Sequence, residues 1–377
     1  MLLSGLLVGL LALRTLAASD PDPFETLTIK APDGSITANF IRAGAHITNL
    51  FVKDKVGVFR DIILGYDDRS LYLSDPAHPY FGPVVGRYAN RIKNATFTLP
   101  GGGTFHTGAN ENHGLDTLHG GFIGFDLHIW NLTSQSSSSL TFSLLDPNGT
   151  EGFPGTVTTT VTYALQDNAE WKISMSARTD SETPIMLSSH TYWNLDAYHY
   201  SQDVSDHFLQ LQADQFVATD GILIPTGELA NVTGTPLDFR QPATLGSRIP
   251  ETSGTNLCGT GCVGFDNCWI YEKNTSDAAP KMSLWSLKSG IRLDILTDQI
   301  AAQVYTCNGI AATRNITRKA DHGGSNGAVY ADHSCVVLEQ QSLIDAINNP
   351  QWGVNQFVEP KDTYEWNSLY KFSIVKS

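Results

Sequence analysis

The chain reads as an all-β protein, a large antiparallel β-sandwich with few short helices, and three features of the sequence lead there. The first is a recurrent alternation of apolar and polar residues with a period of two, which marks strands that bury one face and wet the other. The second is composition: 33 Gly and 17 Pro in 377 residues, with charged residues at 16%, suit a turn-rich architecture and disfavour bundles built on Glu, Lys and Arg. The third is the scarcity of windows with the 3.6-residue repeat of an amphipathic helix.

Taken in order, residues 1–13 are almost entirely Leu, Val, Gly and Ala, and Ala17-Ala18-Ser19 follows at the spacing of a signal-peptidase site. A leader over residues 1–18 is expected, although it lacks a basic n-region and Arg14 lies beyond the apolar run. That run is shorter than the ~20 residues a spanning helix needs, and no later stretch approaches that length, so no membrane partner is expected after leader removal. Alternation then predicts strands over 140–144, 157–165 with a Thr-rich outer face, 171–177, 209–213 and 291–295. Helices of one or two turns are expected only near 70–73 and 342–347. Turns fall at Pro100-Gly101-Gly102-Gly103, 135–139, Asp146-Pro147-Asn148-Gly149, 252–264 and 323–327. None of these is long enough to be a domain linker, and no fixed-period repeat occurs, so residues 19–377 are expected to form one domain.

Lys plus Arg number 24 against 38 Asp plus Glu, a net charge of −14, the wrong sign for a nucleic-acid partner held through a diffuse basic surface. Six Asn-x-Ser/Thr sequons, at Asn94, Asn131, Asn148, Asn231, Asn274 and Asn315, agree with passage through a secretory pathway and an extracellular location. All five cysteines lie in the C-terminal third, and an odd number leaves at least one thiol unpaired. Cys258 and Cys262 flank the flexible Gly259-Thr260-Gly261 and are expected to pair. Cys268, Cys307 and Cys335 cannot be paired from spacing. With no second Cys pair or His-x-x-x-His at zinc-ligand spacing, no metal is expected.

Polar residues that break the strand pattern mark where chemistry can sit. Glu339 ends the apolar run Cys335 to Leu338, where a partly desolvated carboxylate has a raised pKa and suits a general base; a strand-end carboxylate paired with an Arg or a backbone amide fits the pattern as well. His190, in Ser188-Ser189-His190-Thr191-Tyr192-Trp193-Asn194, sits among aromatics able to stack on a sugar ring, or is a satisfied structural histidine. His119, before Gly120-Gly121, has a backbone free to approach a ligand, or belongs to a tight turn. Arg87 and Arg91, bracketing Tyr88-Ala89-Asn90, are donors into a cleft or members of surface ion pairs. Asp266, in Gly264-Phe265-Asp266-Asn267-Cys268-Trp269, can grip vicinal hydroxyls with its two oxygens or cap its loop. Gln303 alone is only a polar strand residue. No P-loop, GxGxxG after a strand, HExxH or GxSxG occurs in its required context, so nucleotide-dependent and zinc-protease chemistries lose support.

In this order, these segments resemble the aldose 1-epimerase (galactose mutarotase) family. Further matches are Glu151-Gly152-Phe153-Pro154-Gly155, Ile224-Pro225-Thr226-Gly227-Glu228, Thr235-Pro236-Leu237-Asp238-Phe239-Arg240 and the ending Tyr370-Lys371-Phe372-Ser373, so the likeness runs from about residue 27 to 375. The resemblance implies a galactose mutarotase-like supersandwich that interconverts the α and β anomers of free aldoses such as glucose or galactose, without metal or cofactor. It implies Glu339 as general base and His190 as general acid, with Asn90, Arg91, His119, Asp266 and Gln303 holding sugar hydroxyls and His119 also helping to polarise the ring oxygen. The sequence departs from the family pattern at Ser189, where Asn commonly precedes the acid His, and at Asn267, where His often follows the Asp. Cys307 and Cys335 stand where glycines are usual; because both lie on segments expected to approach the cleft, a bridge between them is expected there.

Two other readings stand beside this one. A secreted carbohydrate-binding protein on the same fold would not need both His190 and Glu339. A glycoside hydrolase or lyase would need two carboxylates flanking one bond, and only Glu339 has that context.

Overall fold

A computed structural model describes residues 21–273, 278–311 and 315–375, so the expected leader and the sequon at Asn274 lie outside the described residues. Two large antiparallel sheets dominate. The first has nine strands in the order Asn131–Gln135, Ser139–Asp146, Val157–Gln166, Glu170–Thr179, Tyr364–Ile374, Ile291–Thr297, Met282–Trp285, Phe208–Leu211 and Ala243–Thr244. The second has six, in the order Tyr192–Trp193, Val336–Gln341, Ala301–Tyr305, Asp266–Tyr271, Ala213–Thr219 and Pro225–Asn231. A four-stranded N-terminal sheet, Leu27–Lys30 through Phe59–Asp61, closes one side of the shared core.

The period-two pattern explains the sandwich directly. Trp171, Ile173, Met175 and Ala177 are buried while Lys172 points to water, and the neighbouring strand of the same sheet, Tyr364–Ile374, buries Trp366, Ser368, Tyr370 and Phe372 in the same alternation. From the six-stranded sheet, Trp193 crosses to meet Trp171 at 6.3 Å and Tyr370 at 5.8 Å between ring centroids. Each such fully buried large side chain contributes roughly 1.5–3 kcal/mol through removal of apolar surface from water, which fixes the two inner faces against each other.

Three local expectations need correction. The strand expected over 209–213 is divided at Gln212: Phe208–Leu211 pairs within the nine-stranded sheet and Ala213–Thr219 within the six-stranded one. Alternation continues through the break, so its period gave no sign that the chain changes sheets. The helical turn expected near 342–347 is a 3-10 turn, Ala346–Asn348, entered through Asp345 in the left-handed region at φ 54°. A one-turn helix at Leu245–Arg248 went unforeseen, whereas the turn near 70–73 is present as Leu71–Ser74.

Cys258–Cys262 and Cys307–Cys335 are disulfides with Cα separations of 5.5 and 5.7 Å, and Cys268 is a buried free thiol. No helix among the described residues is long and apolar enough to cross a membrane.

Candidate active site

The six-stranded sheet has an inner and an outer face, and the period of two assigns residues to each. Val336 and Leu338 join the sandwich core, as do Ala302 and Val304. Glu339 and Gln303 therefore face outward, and they are direct cross-strand partners in the ladder. Asp266 opens the next strand, two residues before Cys268, which pairs with Gln303.

Segments from the first half of the chain cover this outer face. Arg91–Ile92 pairs with Thr117–Leu118, which brings Asn90, Arg91 and His119 together. The His119 amide donates to the Asn90 carbonyl at 3.1 Å, and the Asn90 amide donates to His119 Nδ1 at 3.1 Å. Gly120 must be glycine here: its φ is +95°, and a Cβ would lie 2.1 Å from the Gly86 carbonyl oxygen. His190 lies between two short strands, Ser188–Ser189 paired with Val84–Val85 and Tyr192–Trp193 paired with Val336–Gln341. Its own backbone adds bonds to Pro83 and Gly82, both 3.0 Å.

The result is a cleft of about 220 Å³, lined among others by His78, Tyr80, Asn90, Arg91, Glu111, His119, His190, Tyr192, Asp266, Tyr305 and Glu339. His190 Nε2 stands 3.4 Å from Glu339 Oε1. The His190 ring is held by backbone groups of Tyr80 and of His190 itself, while Glu339 Oε2 and Gln303 Oε1 are buried without a hydrogen-bond partner within the chain. Such groups cost free energy unless a ligand satisfies them, so they point to a polar occupant. Gln303 Nε2 donates to Asp266 Oδ1 at 2.5 Å, and Asp266 Oδ2 lies 3.6 Å from Arg91 Nη2. Tyr80 forms an aromatic wall, 4.8 Å from His119 and 5.7 Å from His190 between centroids.

Burial governs the proton affinities. Glu339 is pushed up to about 8 by desolvation and the nearby Asp266 charge, against the opposing pull of Arg91. Desolvation pushes His190 down to about 3. His119 is lowered well below the usual imidazole range by burial and by the charges of its neighbours, chiefly His190 and Arg91. At neutral pH both rings are therefore uncharged, and the His190–Glu339 pair holds one proton, resting on the carboxyl.

One atom each of His119, His190 and Glu339 falls within 4.8 Å of the others, a spacing that invites comparison with a metal centre. The donor chemistry does not fit. His119 Nδ1 already accepts from the Asn90 amide, so the neutral ring carries its proton on Nε2 and offers the cleft a donor instead of a lone pair.

The seven residues expected from sequence thus converge, with Gln303 placed just behind Asp266. Arg87 does not join them: it is buried in an ion pair with Asp146, Nε to Oδ2 2.7 Å, and donates to the Pro154 and Gly155 carbonyls. Sequence reasoning missed Tyr80 and Glu111; the Glu111 carboxylate takes both Nε and Nη2 of Arg91 at 2.8 Å. Nothing in Asn110-Glu111-Asn112 distinguishes that residue from a solvated loop acid.

A family model described as aldose 1-epimerase matches residues 25–371, nearly the whole chain. The chain belongs to the aldose 1-epimerase family. It is similar to a probable aldose 1-epimerase of Arthroderma benhamiae, 39% identical over 369 residues, covering 89% of this chain and 82% of that one. It is likewise similar to galactose mutarotase of Homo sapiens, 34% identical over 340 residues and covering 90% and 92% of the two chains. A solved aldose epimerase homologue from C. elegans superimposes with a TM-score of 0.81 at 29% identity, covering 93% of this chain and 99% of that one. Membership makes the protein an enzyme that acts on carbohydrates, in a family whose reaction interconverts the anomers of aldoses. The aldose 1-epimerase family thereby accounts for the all-β sandwich and for a small-molecule sugar as partner.

Proposed function

We propose that this enzyme converts the α and β anomers of a free aldopyranose, glucose, galactose or a close relative, using Glu339 and His190 as its acid–base pair. The observation that carries this reading is their placement: two buried groups 3.4 Å apart, sharing one proton, on the floor and wall of a cleft sized for one small polar molecule. In one direction Glu339 takes the proton of the C1 hydroxyl while protonated His190 gives its proton to the ring oxygen, and the C1–O5 bond breaks. The aldehyde turns about C1–C2. On reclosure His190 takes the C5 hydroxyl proton, O5 attacks the other face of C1, and Glu339 returns its proton to the carbonyl oxygen. Protons and electrons balance within the pair, so turnover consumes nothing.

Asn90, Arg91, His119, Asp266 and Gln303 supply the polar groups for the remaining hydroxyls, with His119 Nε2–H as a neutral donor beside His190. Tyr80 offers an apolar face to the ring. Polarimetry on freshly dissolved α-glucose and α-galactose tests the reading; no acceleration over buffer would reject it. Glu339→Gln and His190→Ala should each lower kcat by about 10²–10⁴-fold while leaving sugar binding measurable. A full rate in either variant would place the acid–base chemistry elsewhere.

We also place this enzyme outside the cell. The support is the apolar leader, two disulfides and the exposure of five sequon asparagines, Asn94, Asn131, Asn148, Asn231 and Asn315. Expression of the full chain in a eukaryotic host should deliver it to the medium in a form whose mass falls on endoglycosidase treatment; retention inside the cell, unglycosylated, would overturn this.

A further inference from the structure

Arg91 enters the cleft between three carboxyl groups, and its geometry ranks them. It is bidentate on Glu111, with both contacts 2.8 Å, but stands 3.6 Å from Asp266 and does not bond to Glu339. Parallel two-point contacts of this kind fix a guanidinium in orientation as well as position. Glu111 is itself fixed. Its amide donates to the Asp116 carbonyl at 3.1 Å, and the two side-chain carboxyls lie within hydrogen-bonding reach of each other. Asp116 is fully buried, with both oxygens taken by Asn112 Nδ2 at 3.1 and 3.2 Å, and Asn112 is tied in turn to the Ile222 carbonyl. Burial, with the Glu111 carboxyl beside it, raises the Asp116 pKa to about 7.

We propose that Glu111 is a positioning residue of this cleft: its carboxylate, backed by Asp116, orients the Arg91 guanidinium and limits the pull of the Arg91 charge on Asp266 and Glu339. The groups that face Glu111 are Arg91, Asp116 and Asp266. Those that act on or respond to Glu339 are His190, His119, Asp266 and Arg91 around the cleft, with Cys268 and Tyr370 on the strands packed against it. With Glu111 in place its charge offsets part of that of Arg91, and Asp266, 3.6 Å from the guanidinium, still favours the protonated carboxyl of Glu339. Without it, the Arg91 charge acts on Asp266 and Glu339 undiminished and the guanidinium is free to close on Asp266, and both changes favour the ionised carboxyl.

For catalysis this inference rests on the reading of Glu339 as acid–base residue, whereas the titration of Glu339 does not, and the test uses that difference. Protein labelled with ¹³C at the Glu side-chain carboxyls is titrated by NMR, with the Glu339 signal assigned by its loss in Glu339→Gln. In Glu111→Gln and Glu111→Ser, read in parallel so that misfolding of one leaves the other, the Glu339 midpoint should fall by about one pH unit or more. The alkaline limb of kcat/KM should move with it. Glu111→Asp, which keeps the charge, should restore the wild-type midpoint. An unchanged midpoint in a folded, charge-removing variant overturns the proposal, as does a Glu111→Asp midpoint shifted as far as that of Glu111→Gln. If Glu339→Gln kept full activity, the mutarotase mechanism would fail while the titration result stood.

Discussion

At the scale of single residues, activity in the proposed mechanism depends on how many protons the His190–Glu339 pair holds, because either assignment of acid and base needs one. Glu339 ionises near pH 8 and His190 gains a second proton only near pH 3. Above the first value the pair is empty and below the second it is full. Enzyme-dependent kcat/KM should therefore be flat through the acidic and neutral range and fall about tenfold per pH unit well above 8; polarimetry with the buffer rate subtracted checks it. A limb that rises through pH 8 would show that only the fully ionised carboxylate is competent. Glu339 was legible in the sequence because a carboxylate closing an apolar run has to be desolvated. The opposite holds for Glu111, whose importance comes from Arg91, 20 residues earlier in the chain, and from a fold that hides both. Arg87 misled for a related reason: four positions before Arg91 in one motif, it turns the other way and spends its donors on the Asp146 carboxylate and nearby backbone carbonyls.

Among elements, the paired strands Ala301–Tyr305 and Val336–Gln341 are decisive, since their register sets Gln303 against Glu339. The Cys307–Cys335 disulfide clamps this ladder just past the Tyr305–Val337 pair. Removing a cross-link over a loop of this length costs about 3–4 kcal/mol in the chain-entropy picture. The double variant Cys307→Ser/Cys335→Ser should lose that much in chemical denaturation yet retain its polarimetric rate well below the transition, because backbone pairing still holds the register. A large loss of rate in the folded variant would mean that the bridge itself shapes the cleft. The strands at 140–144, 157–165, 171–177 and 291–295 were visible from alternation alone, whereas Ala301–Tyr305 and Val336–Gln341, covered on both faces, do not alternate. Which strands become neighbours was not, and the change of sheet at Gln212 shows why: pairing is decided by chain segments far away, while the local period only says which face is buried.

For the whole molecule, the net charge of −14 belongs to the outer surface and has no counterpart in a neutral sugar. Steering by the protein field requires a charged partner, so kcat/KM should stay constant within about twofold from low salt to about 0.5 M NaCl; a steep decline, measured by polarimetry across that range, would point to a charged substrate. The sandwich class was open to reading because composition and period agree along nearly the entire chain. The cleft was not readable as a place, since Asn90, His119, His190, Asp266 and Glu339 are each supplied by a different stretch, and ties such as Tyr88 to Gln356 span 268 residues. The site therefore has no local precursor. During refolding no fragment or early hairpin can carry out the reaction, and folds dominated by such distant pairings form slowly. The return of optical rotation to equilibrium thus becomes a clock for the last long-range closure of the chain, later than any signal from its hairpins.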